Sequence, residues 1–131
     1  MKTNLDSIFA TSKDKEVNGV WFDIDDDTGF LLRRMGGENS KRIKGIMTKY
    51  TKPYLNLIKS NKLPYDKERS ILVDVFVDGC LIDWKGVFID EKEVDCSKEN
   101  AKNLFNKLPE LFDTLQDYTQ GVESFSENLG N

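Results

Sequence analysis

The sequence predicts an α+β fold, mostly α: an N-terminal β-hairpin packed on a bundle of about four helices. Two apolar stripes and one turn carry this expectation. Ile43, Ile46, Met47, Tyr50, Tyr54, Leu57 and Ile58 fall at steps of three and four, the repeat of one helical face. Ala101, Leu104, Phe105, Leu108, Leu111, Phe112, Leu115, Tyr118, Val122 and Phe125 do the same. Upstream, residues 20–24 and 30–35 are apolar runs around Asp25-Asp26-Asp27-Thr28-Gly29. Asp and Gly accept the conformations that tight turns require, so this pattern reads as a hairpin. A lone hairpin is marginal in water and must pack on the helices.

Taken in order, residues 1–16 are polar apart from Leu5, Ile8 and Phe9 and read as a loose N-terminal segment with one helical turn. Residues 17–125 form the core of a single domain, and residues 126–131 a frayed tail. After the hairpin, Asn39 or Ser40 can cap the first long helix, because a short polar side chain accepts an orphan backbone N–H. Pro53 removes a helical N–H and clashes with the preceding turn, so a kink or break is expected there. Asp66 is the candidate cap of the next helix. Residues 71–84 are rich in Val and Ile, but Asp74, Asp78 and Asp83 recur at steps of four and five. That spacing favours a central buried helix with a narrow acidic edge. Gly79 costs it about 1 kcal/mol relative to Ala and permits a neighbouring helix to come close. Lys85-Gly86 breaks the helix, and residues 87–94 read as a short hairpin or extended loop. Ser97 caps the next helix, and Pro109 suits the first turn of the last one.

The chain has 131 residues, 38% apolar and 32% charged, which suits one globular domain with a core of its own. Cys80 and Cys96 are too few for a disulfide scaffold and read as reduced thiols. No apolar run reaches the ~18 residues of a membrane span, and the N-terminus lacks a signal peptide's apolar stretch. A cytoplasmic protein is expected. The net charge of −4 is unevenly spread. Residues 1–32 carry three Lys against seven acids, residues 33–62 nine Lys/Arg against Glu38, and residues 63–131 seven Lys/Arg against fifteen acids. Such asymmetry suits either an electrostatic contact surface or halves that face one another.

The residue types argue against catalysis. There is no histidine, the commonest general base and metal ligand, and there is no CxxC pair for zinc. Asp23, Asp25 and Asp27 begin like an EF-hand loop. Thr28 then stands where Gly makes the sharp turn, and Arg34 where a bidentate Glu is needed. Thr28 is also out of register for a DxDx[TV] phosphatase nucleophile. No catalytic, cofactor or metal residue is assigned. Arg33, Arg34, Lys41, Arg42 and Lys44 make the densest basic cluster. The nearby Tyr50 and Tyr54 lie on the apolar stripe, and the acidic remainder repels phosphate, so nucleic acid is not an expected partner. Trp84 and Trp21 are either core or interface anchors. The same choice applies to the C-terminal stripe, where Phe112, Leu115, Tyr118 and Phe125 are the candidate protein-binding residues together with Trp84.

The assembled order is an acidic-turn hairpin, a basic helix with Tyr and Pro, and an apolar helix ending in Asp83-Trp84-Lys85-Gly86-Val87. A Ser97-Lys98-Glu99-Asn100-Ala101 helix entry and Leu108-Pro109-Glu110-Leu111-Phe112 follow. From about Gly19 to Phe125 this resembles the tail assembly chaperones of long-tailed bacteriophages. The N-terminal hairpin departs from that pattern. The resemblance implies a non-enzymatic protein of the host cytoplasm, absent from the mature virion. It would coat the helical tape measure protein until tail tube protein polymerises, with self-association along that partner and, in some members, a frameshifted extended form. Two other readings stand beside it. One is a small acidic inhibitor or adaptor that binds a host protein through its C-terminal half. The other is a metal-dependent enzyme using residues 23–27.

Overall fold

The computed structural model describes residues 3–127. Two short helices, α1 (Leu5–Phe9) and α2 (Lys13–Asn18), lead into strands β1 (Val20–Asp23) and β2 (Gly29–Leu32). The helical layer is α3 (Ser40–Thr51), α4 (Leu55–Lys59) and α5 (Tyr65–Gly79). Strand β3 (Leu81–Lys85) and a small hairpin, β4 (Phe88–Ile89) with β5 (Lys92–Glu93), follow. Helices α6 (Lys98–Lys107) and α7 (Pro109–Gln120) complete it. Short 3-10 turns span Gly37–Asn39, Lys52–Tyr54 and Glu123–Phe125.

The expected fold class is what forms, with one strand more than the sequence suggested. β1, β2 and β3 make an antiparallel sheet in that order. Trp21 faces Leu31, and Phe30 faces Trp84 across the two ladders. The expected helix over residues 71–84 therefore stops at Gly79, and Leu81–Lys85 is a strand. Asp83 and Lys85 are exposed around buried Trp84. That is period-two alternation, which the helical spacing of the aspartates had masked.

The core joins Phe30 and Leu32 of β2 to Val73, Phe76 and Val77 of α5, with Leu104 and Phe105 of α6 and Phe112 and Leu115 of α7. Phe76 meets Phe105 and Phe112 edge-on at centroid distances of 5.7 and 5.3 Å, the geometry that ring quadrupoles favour. At Gly79 a Cβ would run into Ile43 Cδ1, so this glycine does let α3 approach α5. Gly86 has φ +65°, and a Cβ there would strike the Asp27 carbonyl. It must stay glycine for the first hairpin's turn to reach the β3 end.

Several local expectations resolve differently. The expected N-terminal helical turn is α1, which buries none of its residues, and α2 follows it. Ser12 caps α2 by accepting from Lys15 N, and Thr11 bridges Ser126. Glu16 is buried against Arg34 Nη1 at 2.5 Å. Ser126 is thus held in place, Glu127 N donates to the Ala10 carbonyl, and residues 128–131 of the expected tail lie outside the described residues. Asn39 does not cap α3. Its buried amide donates to the carbonyls of Arg34 and Gly79, at 2.8 and 3.0 Å, tying the hairpin's exit to the end of α5. Pro64, not Asp66, is at the N-cap of α5. Ser97 caps α6, accepting from Asn100 N at 3.1 Å, and Pro109 opens α7. Pro53 breaks the basic helix into α3, a 3-10 turn and α4.

The two thiols are free. Burial pushes the Cys80 thiol from 9.0 up to about 12. Burial, reinforced by Asp83, pushes the Cys96 thiol up to about 11. A thiolate is the reactive form, so native protein at pH 8 is expected to resist iodoacetamide, with both residues alkylated only after denaturation. Mass spectrometry reads this directly, and rapid native alkylation of Cys80 would contradict it. The linkage sign follows from the raised folded values. Unfolding releases these protons between pH 9 and about 12, so stability falls as pH rises through that window.

Candidate protein-binding surface

The structure packs the expected binding residues inside. Phe112, Leu115 and Phe125 have no exposure, and Trp84 is 6% exposed. The Trp84 indole N–H donates to the Val94 carbonyl at 2.9 Å. Phe112 lies beneath the Arg69 guanidinium, 5.1 Å from the ring centroid. Tyr118 is half-buried, its ring packed at 4.3 Å and tilted by 55° against Phe22 and near Phe125. Burial raises its hydroxyl above the ordinary range, with a further push from Asp23. The C-terminal stripe is therefore the wall that closes the core.

The exposed apolar side chains lie elsewhere. Leu5, Ile8 and Phe9 stand on α1. Ile24, Phe88 and Leu108 rim a hollow of about 200 Å³ beside the first hairpin. The third group is Leu55, Leu57 and Ile58 on α4, 39–45% exposed. Beside them runs a groove of about 250 Å³ between α3, α4 and the start of α5, lined by Met47, Ile58, Leu63, Ile71 and Leu72 with Thr51, Asn61 and Glu68. Leu57 and Ile58 had been expected on the core stripe begun by Ile43. Pro53 breaks the helix, so α4 does not continue α3's part-buried apolar face and leaves these residues largely exposed.

Charge sorts along the same lines. Asp74 and Asp78 of α5 are ion-paired with Lys102 and Lys98 of α6, at 2.9 and 3.1 Å. Tyr50 donates its hydroxyl to Asp78 and accepts from Lys98, joining α3, α5 and α6. The Tyr50 hydroxyl titrates above its ordinary value, because burial and the Asp78 bond both disfavour the phenolate. Lys98 is raised chiefly by its bond to Tyr50. In the first hairpin, Asp25 accepts from Asp27 N and Thr28 N at 2.8 Å each. Those two bonds hold its carboxyl below the ordinary range. Asp23 pairs with Lys85 at 3.3 Å. The acidic run thus builds its own turn. Among the described residues, no group of three or more His, Cys, Asp or Glu is placed to hold a metal ion, and no helix is long and apolar enough to cross a membrane.

Residues 38–129 match the family model of the YdaY prophage protein. The chain belongs to the YdaY prophage protein family. Its origin is therefore phage. No curated protein and no solved structure matches it. Within this YdaY family chain the matched stretch holds the whole α3–α4–α5 groove and the α6–α7 wall, whereas the β1–β2 hairpin precedes it.

Proposed function

We propose that this prophage protein is a non-enzymatic tail assembly chaperone. It binds helical segments of the tape measure protein in the host cytoplasm and releases them as tail tube protein assembles. The observation that carries the reading is the half-exposed apolar group on α4 beside an open groove. A holdase needs such a surface with charge around it to stay soluble. Phage origin and the resemblance of the Trp84-Lys85-Gly86-Val87 and Leu108-Pro109 segments to tail assembly chaperones support the same reading.

The magnitudes fit a releasable contact. Burying a Leu or Ile side chain fully is worth about 1.5–3 kcal/mol, so finishing the burial of three half-exposed ones yields roughly 2–4 kcal/mol in all. Association costs consume much of that. A single groove therefore holds weakly, and a long helical partner is retained by many copies at once. The adaptor reading has less support, because Asp74, Asp78, Asp90 and Asp113 of the acidic half are already in internal ion pairs.

Co-expression with the tape measure protein of the same prophage tests this. The soluble fraction of that partner is expected to rise several-fold. Ile58→Asp, a change at an exposed site, is expected to abolish the rise without lowering the chain's own thermal midpoint. An unchanged soluble fraction with the wild-type chain overturns the reading.

A further inference from the structure

We propose that the α3–α4–α5 groove selects amphipathic helices that carry acidic residues beside their apolar face. Residues 40–62 contain seven Lys/Arg and no carboxylate. Among the described residues none of the seven is in an ion pair, whereas Arg34, Arg69, Lys85, Lys98, Lys102 and Lys107 are. At least half of the twelve basic residues outside this stretch are paired in this way, whereas the stretch itself carries seven positive charges with no carboxylate among them. Lys59 and Lys62 adjoin the lining residues Ile58 and Asn61 in sequence. Lys44 stands two helical turns before Thr51 and on the same face. Glu68 is the one acid in the lining.

A groove of about 250 Å³ admits side chains, not a helix. The partner therefore lies across it and inserts apolar residues spaced at i, i+3 or i+4, and i+7. Its flanks then meet the lysines. Carboxylates there complement a positive rim, and ammonium groups are repelled. A nucleic acid would leave Leu55, Leu57 and Ile58 without apolar partners. Two of the three nearby tyrosines are also engaged, Tyr50 with Asp78 and Lys98 and Tyr54 beneath Lys67, while Tyr65 is exposed. The inference rests on the chaperone reading only for the source of the helix.

Two labelled synthetic helices test it, each with Leu at i, i+3 and i+7. One carries Glu on both flanks and the other carries Lys. Fluorescence anisotropy at low salt is expected to show the Glu helix binding at least about tenfold tighter, a preference that shrinks to a few-fold at half-molar salt as screening shortens. Lys44→Glu/Lys59→Glu/Lys62→Glu is expected to reverse the preference, and Lys59→Glu alone to narrow it. Circular dichroism checks that each variant is folded.

Equal binding of both helices overturns the proposal. So does equal or tighter binding of a thirty-nucleotide thymidine oligomer. A chain that sediments as a dimer, and that Ile58→Asp makes monomeric, gives the groove to a second copy and also overturns it. Selection of the Glu helix without any rescue of the tape measure protein upholds the groove and removes only the named source of the helix.

Discussion

Phe112→Ala is expected to lower the unfolding free energy by roughly 3–5 kcal/mol, the usual cost of emptying a buried aromatic site. Phe112 is fully buried and packed against Phe76 and Phe105, with Arg69 over its face. The cavity left by truncation is bounded by rings held from α5 and α6, which cannot collapse into it without leaving their own contacts. A domain of this size has only about 5–15 kcal/mol to lose. Urea denaturation followed by far-ultraviolet dichroism measures the change. A loss below about 1 kcal/mol would contradict the packing described, since core truncations of this kind cost several-fold more. The consequence for function is practical. Loss of partner binding in Phe112→Ala, Leu115→Ala or Phe125→Ala reports unfolding, whereas the same loss in Ile58→Asp reports the surface.

The second large effect lies at the N-terminus. Arg34→Met removes the cation from Glu16, whose side chain is only 3% exposed. Glu16 also accepts from the Glu38 backbone N–H, but that bond cannot replace a guanidinium. Breaking a buried pair from one side typically costs about 3–5 kcal/mol, because a charge is left without its partner, and the lower end applies here since Arg34 keeps some exposure. Glu16→Gln/Arg34→Met is expected to recover much of the loss, since no unpaired buried charge then remains. A double-mutant cycle in urea checks this. Additive losses would mean that the two side chains do not act as a pair.

The readable parts of the fold were those with local causes. The Asp25–Gly29 turn, the break at Pro53, the Ser97 cap and the Pro109 helix start each follow from what one residue does to its own backbone. The parts that escaped need a partner far along the chain. Glu16 looks like any surface acid until Arg34, eighteen residues on, is placed against it. Asn39 looks like a helix cap until its side-chain N–H donors are taken by the carbonyls of Arg34 and, forty residues on, Gly79. The run from Leu81 to Lys85 became a strand because β2 presents an open edge to it, and nothing in the run itself records that edge.

The proposed binding surface was legible only in part, for a related reason. Periodicity identifies which helical face is apolar, but not what covers it. Phe112 is covered by Phe76 of α5 and Phe105 of α6, and Phe125 packs beside Tyr118. Leu57 and Ile58 stay 41% and 39% exposed on α4, which Pro53 sets off from α3. The proline was visible in the sequence, and its effect on the residues after it was the signal to follow.

Hydrogen exchange by mass spectrometry, on the chain alone and bound to a tape measure segment, tests the central claim most directly. Protection is expected to rise across residues 44–72, covering α3's second half, α4 and the start of α5, while residues 109–125 exchange as in the free chain. Protection gained only in residues 109–125 would show that the C-terminal helix opens to make the contact, and would contradict the groove as the working surface.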